Sequence, residues 1–115
     1  MDATGLVRRY YDALDAHDYG ELEAVLAPEF TQRRPDRAFE SRAAFVAFMR
    51  DERPNPDTTH ELEAVIATES GDGDGATVAV RGRVRDASTV LFEFADFFAV
   101  DEGTARIERL ETYSR

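Results

Sequence analysis

Neither cysteine nor lysine occurs in this 115-residue chain. Without cysteine there are no disulfides, thiol nucleophiles or thiolate metal sites, which agrees with a cytoplasmic protein. No run approaches the ~20 apolar residues of a membrane span. The opening MDATGLVRRYYD lacks the basic-then-apolar layout of a secretory signal. Histidine is scarce: His17 and His60 lie far apart and make no usual zinc constellation, and HELEA is not the HExxH pattern. No metal and no cofactor are expected.

Twelve Asp and twelve Glu against fourteen Arg leave a formal charge of -10. Such a surface repels nucleic acid and anionic membranes. A lysine-free, acid-rich composition resembles that of proteins from salt-loving microbes, where ~1 M salt screens charges within ~3 Å. An ordinary acidic protein from an organism of biased codon usage gives the same totals. In either case most of these charges form a solvated face. The length predicts one domain over 1–115, with about two thirds of the unfolded surface buried.

The spacing of Leu6, Val7, Tyr10, Tyr11 and Leu14 predicts a helix capped by Asp2 and running to about His17. DYGE predicts a second helix start, with Asp18 as cap and Glu21 reaching back. Leu22, Val25 and Leu26 supply its apolar face, and Pro28 is expected to end it. EFTQRR predicts a short strand, and PDRAFES a loop. Ser41 is expected to cap a third helix bearing Phe45, Phe48 and Met49. Arg50 and Arg53 suit its C-terminal dipole, and RPNPD forbids its continuation. THELEAVIATE, GATVAVRGRVRD, STVLFEFADFFAV and TARIERLETYS then read as four antiparallel strands. Segregated helices and strands predict an α+β domain, its helices on one face of a curved sheet.

Strand alternation assigns faces. Val90, Phe92, Phe94, Asp96, Phe98 and Val100 share one side, and Ala76, Val78, Val80, Gly82 and Val84 form the apolar side of the neighbouring strand. Asp96 is thereby placed inward among rings. Burial disfavours a charged carboxylate, so its pKa should rise, and a neutral acid can donate to a developing oxyanion. A salt bridge or a backbone-capping carboxylate at a bulge would also account for it. Tyr10 and Tyr11 lie on the first helix's apolar stripe as core residues, with Tyr10 a candidate pocket donor. His60 shares a face with Leu62, Ala64 and Ile66. It is a candidate proton carrier at neutral pH, or a structural histidine. His17 reads as a capping or solvent-facing residue. GDGDG lies between two strands and reads as a hairpin turn, since a phosphate loop should open a helix and a calcium loop needs more oxygen ligands.

Two helices joined by LDAHDYGELEAVLAPEF, a strand, the helix SRAAFVAFMR and four strands ending in DEGTARIERLETYS resemble the SnoaL-like branch of the NTF2-like superfamily, over nearly the whole chain. The resemblance implies a cone: three helices packed on the concave face of a strongly bent, mainly antiparallel sheet, with a pocket inside. In its ketosteroid isomerase-like members a protonated aspartate stabilises an oxyanion. Asp96 matches that aspartate, and Tyr10 a tyrosine of the first helix that donates beside it or supports it. The base position falls in TQRRP at Arg34, and an arginine cannot abstract a proton at neutral pH. Arg34 could instead reach Asp96 and ionise it, bind an acidic substrate, or lie at the rim.

Two function classes follow. One is an isomerase, cyclase or hydrolase acting on an apolar carbonyl compound, with Asp96, Tyr10 and His60 as the catalytic candidates. Phe30, Gln32, Arg34, Phe45, Phe48, Met49, Phe92, Phe94, Phe98 and Leu110 are the candidate pocket lining. The other is a non-catalytic ligand-binding or scaffold protein of the same fold. Leu91, Phe97 and Ile107 on the outer sheet face are expected to support a homodimer.

Overall fold

A computed structural model describes residues 2–69, 73 and 75–115. Three helices precede most of the sheet: α1 (Ala3–Asp15), α2 (Tyr19–Val25) and α3 (Arg42–Asp51). Each starts on a side-chain oxygen that accepts an otherwise unpaired backbone N–H. Asp2 accepts from Gly5 at 2.7 Å, Asp18 from Glu21 at 3.1 Å and Ser41 from Ala44 at 3.1 Å. Such caps stabilise a helix by about 1 kcal/mol each. The reciprocal half of the expected capping box is not made. The Glu21 carboxylate turns to Arg9 on α1, tying the first two helices together.

The strands are β1 (Leu26–Arg33), β2 (Ala38–Phe39), β3 (Thr59–Glu69), β4 (Gly75–Asp86), β5 (Thr89–Asp101) and β6 (Arg106–Ser114). They form one sheet in the order β2-β1-β6-β5-β4-β3. Every neighbouring pair is antiparallel except β1 with β6, which is parallel. The expected α+β architecture is what the chain adopts, with the helices laid on one face of the sheet. Leu6, Val7, Leu22, Val25, Phe30, Phe45, Val78, Phe98, Ile107 and Leu110 are fully buried between these layers.

Several boundaries differ from the sequence reading. The second helix ends at Val25, and Pro28 lies inside β1, between Leu26 and Thr31, where the ladder with β6 is irregular. A proline is tolerated there because it has no N–H to give. The loop PDRAFES contains β2, paired through Gln32 and Phe39. Arg50 pairs with its neighbour Asp51. Arg53 does not serve its own helix: it donates to Leu14 O and Pro56 O. Of the GDGDG turn, positions 71, 72 and 74 lie outside the described residues. Gly73 has a φ of 65°, a conformation natural to glycine.

Three bulges re-aim side chains that simple alternation misplaces. On β3, Leu62 faces Gly82 while Ala64 faces Arg81, so Glu63 is the extra residue. Beyond it, Val65 turns inward, and Ile66 turns outward with 62% exposure. On β5, Phe92 faces Val84 and Val90 faces Arg85, which makes Leu91 the extra residue and takes Val90 off the inner face. On β6, Ile107 pairs with Val100 and Arg109 with Ala99, so Glu108 is extra. Ile107 is thus buried and not on the outer face as expected. Each bulge adds local twist and bend to its strand.

Gly82 sits inside this bent region. A Cβ there would stand 2.4 Å from Glu61 O and 2.9 Å from Phe94 Cζ. The carbonyl belongs to the backbone and cannot step aside. Gly82→Ala is therefore expected to destabilise the fold by about 1–3 kcal/mol. A fall in the urea midpoint checks this, and an unchanged midpoint contradicts it.

Candidate functional site

Between the helices and the inner face of the sheet lies a cavity of about 230 Å³. α1 contributes Tyr10 and Leu14, β1 contributes Gln32, Arg34 follows directly after β1, and α3 contributes Phe48 and Met49. Arg53, Pro54, Asn55 and Thr58 close one side, from the segment after α3. His60, Val84, Leu91, Phe92, Phe94, Asp96 and Thr112 form the sheet wall.

Asp96 is only 5% exposed. Its carboxylate accepts from the Tyr11 hydroxyl at 2.5 Å and from the Thr112 hydroxyl at 2.7 Å. Gln32 Nε2 in turn donates to Thr112 at 2.9 Å. A buried carboxylate without such partners would cost several kcal/mol. Burial pushes the Asp96 carboxyl above its ordinary value, and the bonds from Thr112 and Tyr11 offset part of that rise. Arg34 makes no ion pair with it. The Arg34 guanidinium lies 3.5 Å from Asp36 instead. Tyr10 stands at the cavity as expected, but the hydroxyl beside Asp96 is that of its neighbour. Tyr11, not Tyr10, holds Asp96, because consecutive helical residues point about 100° apart. Tyr10 borders the cavity, with its hydroxyl unpartnered among the described residues. Burial and the nearby Asp96 raise the pKa of both phenols.

His60 is the second residue of β3, beside this group. Its Nδ1 lies 2.6 Å from Asp15 Oδ1, and its backbone N–H donates to Asp15 Oδ2 at 3.0 Å. The ring packs against Tyr11 and Phe94, at centroid distances of 5.1 and 5.6 Å. With Nδ1–H given to a carboxylate, Nε2 is left as the acceptor. No described residue partners it.

Of the expected lining, Gln32, Arg34, Phe48, Met49, Phe92 and Phe94 border the cavity. Phe30, Phe45, Phe98 and Leu110 do not. All four are fully buried in the solid core, since alternation gives a residue's face but not its depth. Leu91, expected outside, borders the cavity because of its bulge. Tyr11, Thr112, Asp15 and Arg53 were not among the expected site residues. Asp15 had left a trace, because a carboxylate at a helix C-terminus opposes the macrodipole and implies a partner elsewhere. Thr112 sits directly opposite Asp96 in the β5–β6 ladder. Among the described residues no group of three His, Asp or Glu side chains is placed to hold a metal, and no helix is long and apolar enough to cross a membrane.

A model of the SnoaL-like domain matches residues 7–109. The chain belongs to the SnoaL-like domain family. No curated protein matches its sequence. Solved structures similar to this SnoaL-like domain include an NTF2-like protein from Cytophaga hutchinsonii, with 15% identity, a TM-score of 0.75 and coverage of 100% of this chain and 92% of the other. The orange carotenoid protein of Anabaena (Nostoc) sp., solved binding canthaxanthin, gives 22% and 0.81, over 95% of this chain and 35% of the other. A candidate ketosteroid isomerase from Kribbella flavida gives 20% and 0.69, over 97% and 76%. At these identities the likeness establishes the NTF2-like fold.

The site sets a measurable pH dependence. Because the Asp96 carboxyl is raised above its ordinary 3.8, the folded state holds that proton more tightly than the unfolded chain. The stability this confers is fully present below the unfolded value and is lost as pH rises through the folded one. Asp96→Asn carries no charge to bury. Its melting temperature relative to wild type should therefore climb with pH across that window and then level off. Melts of both proteins from acid to neutral pH check this, and parallel curves contradict it. Tyr11→Phe, which removes a donor to the carboxylate, should raise the Asp96 titration seen by carbon-13 NMR. Tyr10→Phe should shift it less.

Proposed function

We propose that this SnoaL-like domain binds a small apolar carbonyl compound and moves a proton on it, as an isomerase or cyclase does. One observation carries the reading: an imidazole and a buried carboxyl share one cavity wall. His60, oriented by Asp15, presents an acceptor nitrogen. Asp96, held by Tyr11 and Thr112, is biased toward its neutral acid form.

The chemistry follows from those states. The His60 Nε2 lone pair takes a proton from the carbon next to the carbonyl. The C–H electrons move into the new C=C bond, and the carbonyl π electrons move to oxygen. Asp96, as a carboxylic acid, donates a hydrogen bond to that oxygen and stabilises the enolate. Return of the proton from His60 to the same or a conjugated carbon completes exchange or isomerisation. Asp15 keeps the imidazole in the Nδ1–H tautomer and stabilises the imidazolium as it forms. In this reading the base stands on β3 and not at the Arg34 position. A cavity of about 230 Å³ suits a single substituted ring, since ~150 Å³ holds benzene.

Self-association through the outer sheet face belongs to this proposal in a revised form. Phe97 and Tyr113 meet there edge to face at 5.9 Å, and both are exposed.

Deuterium exchange tests the proton transfer. Phenylacetone, an enolisable monocyclic ketone, should exchange its methylene protons in D2O faster with protein than in buffer. His60→Ala should remove the enhancement, a loss of about 10²-fold or more for a general base. Wild-type exchange by His60→Ala contradicts the reading.

A further inference from the structure

The cavity's charge does not match that of the chain around it. The whole chain carries a formal -10, yet two guanidinium groups and one buried carboxyl line this cavity. Arg53 has no ion pair among the described residues. Its Nη2 reaches the carbonyls of Leu14 and Pro56 at 3.5 and 3.3 Å, both long, and its Nε is buried without a partner. Carbonyl dipoles alone compensate a half-buried cation poorly. Arg34 is tied to Asp36 at 3.5 Å, but that carboxylate is 60% exposed and readily exchanged for another anion. The Arg34 guanidinium also lies 6.0 Å from the Phe48 ring, which borders the same space. Both arginines line the same cavity as Tyr10. Its hydroxyl is an unpartnered donor.

We propose that the natural ligand is a small apolar oxo acid, whose carboxylate is held by Arg34, Arg53 and the Tyr10 hydroxyl. A planar guanidinium offers a fork of N–H donors that matches a carboxylate. The oxo group rests on the proton-transfer reading above and extends toward Asp96 and His60. The carboxylate rests on the arginines alone. The apolar body fills the space beside Met49, Phe92 and Phe94. Asp96 does not oppose this anion strongly, because burial favours its uncharged form.

Phenylpyruvate and phenylacetone share the ring and the ketone and differ by the carboxylate. Titration calorimetry on the wild-type chain should show phenylpyruvate binding roughly 10- to 100-fold tighter, the range for charge-assisted hydrogen bonds. Arg34→Gln and Arg53→Gln should each lose about 10-fold for phenylpyruvate and weaken phenylacetone binding by much less. Because Arg53 also touches α1, melting curves accompany each variant, and Arg53→Lys, which keeps the cation, should recover part of the loss. Equal affinity for the two probes overturns the carboxylate site. So does unaltered phenylpyruvate binding in both glutamine variants, or no phenylpyruvate binding at about 1 mM. The two readings fail separately. Catalysed exchange of phenylacetone with no carboxylate preference removes the anion site and keeps the proton transfer. Arginine-dependent binding of phenylpyruvate without exchange does the reverse.

Discussion

The hydrogen bonds that Tyr11 and Thr112 give to Asp96 join the first helix to the last two strands at a buried point of the site. A carboxyl group 5% exposed is tolerable there only because both oxygens have donors. The same bonds fix where the helix stands above the sheet, and so how much room is left between them. Gln32 extends the chain of bonds into β1, on the other side of β6. One polar network thus spans three strands and a helix within a mostly apolar interior. A network of that kind specifies position more sharply than apolar contact does.

Around this point the fold is made of ordinary parts. The three helix caps at Asp2, Asp18 and Ser41 were legible because Ser and Asp before an apolar stripe have one common use. The four long strands were legible from their alternation, and Asp96 was placed inward on that ground alone. The reading failed wherever an extra residue entered a strand. Glu63, Leu91 and Glu108 carry no compositional mark of a bulge, and each reverses the faces beyond it. That is why Ile107 was expected outside, and why Ile66 leaves the face it was expected to share with His60 and Leu62. The site was legible in part. Asp96 and His60 stand out as polar residues among apolar ones, whereas two adjacent tyrosines on one stripe offer no sequence rule for choosing between them. Depth was not legible at all, so Phe30 and Phe98 could not be told from Phe92 and Phe94.

Charge is distributed on two scales. Over the surface, carboxylates outnumber guanidiniums and set the net charge of -10. In the cavity the balance reverses, because Arg34 and Arg53 face it while the one carboxyl on its wall is biased toward neutrality. A field of opposite sign inside a low-dielectric recess is felt more strongly than the same charges at the surface. High salt would mute the outer field and leave the inner one largely intact.

Arg53 has a further role through its hold on Leu14 O. The next residue along α1 is Asp15, which grips His60 by both ring and backbone. The guanidinium, the helix end and the imidazole therefore form one continuous strut along the cavity's edge. The same turn of α1 thus meets both the guanidinium and the imidazole.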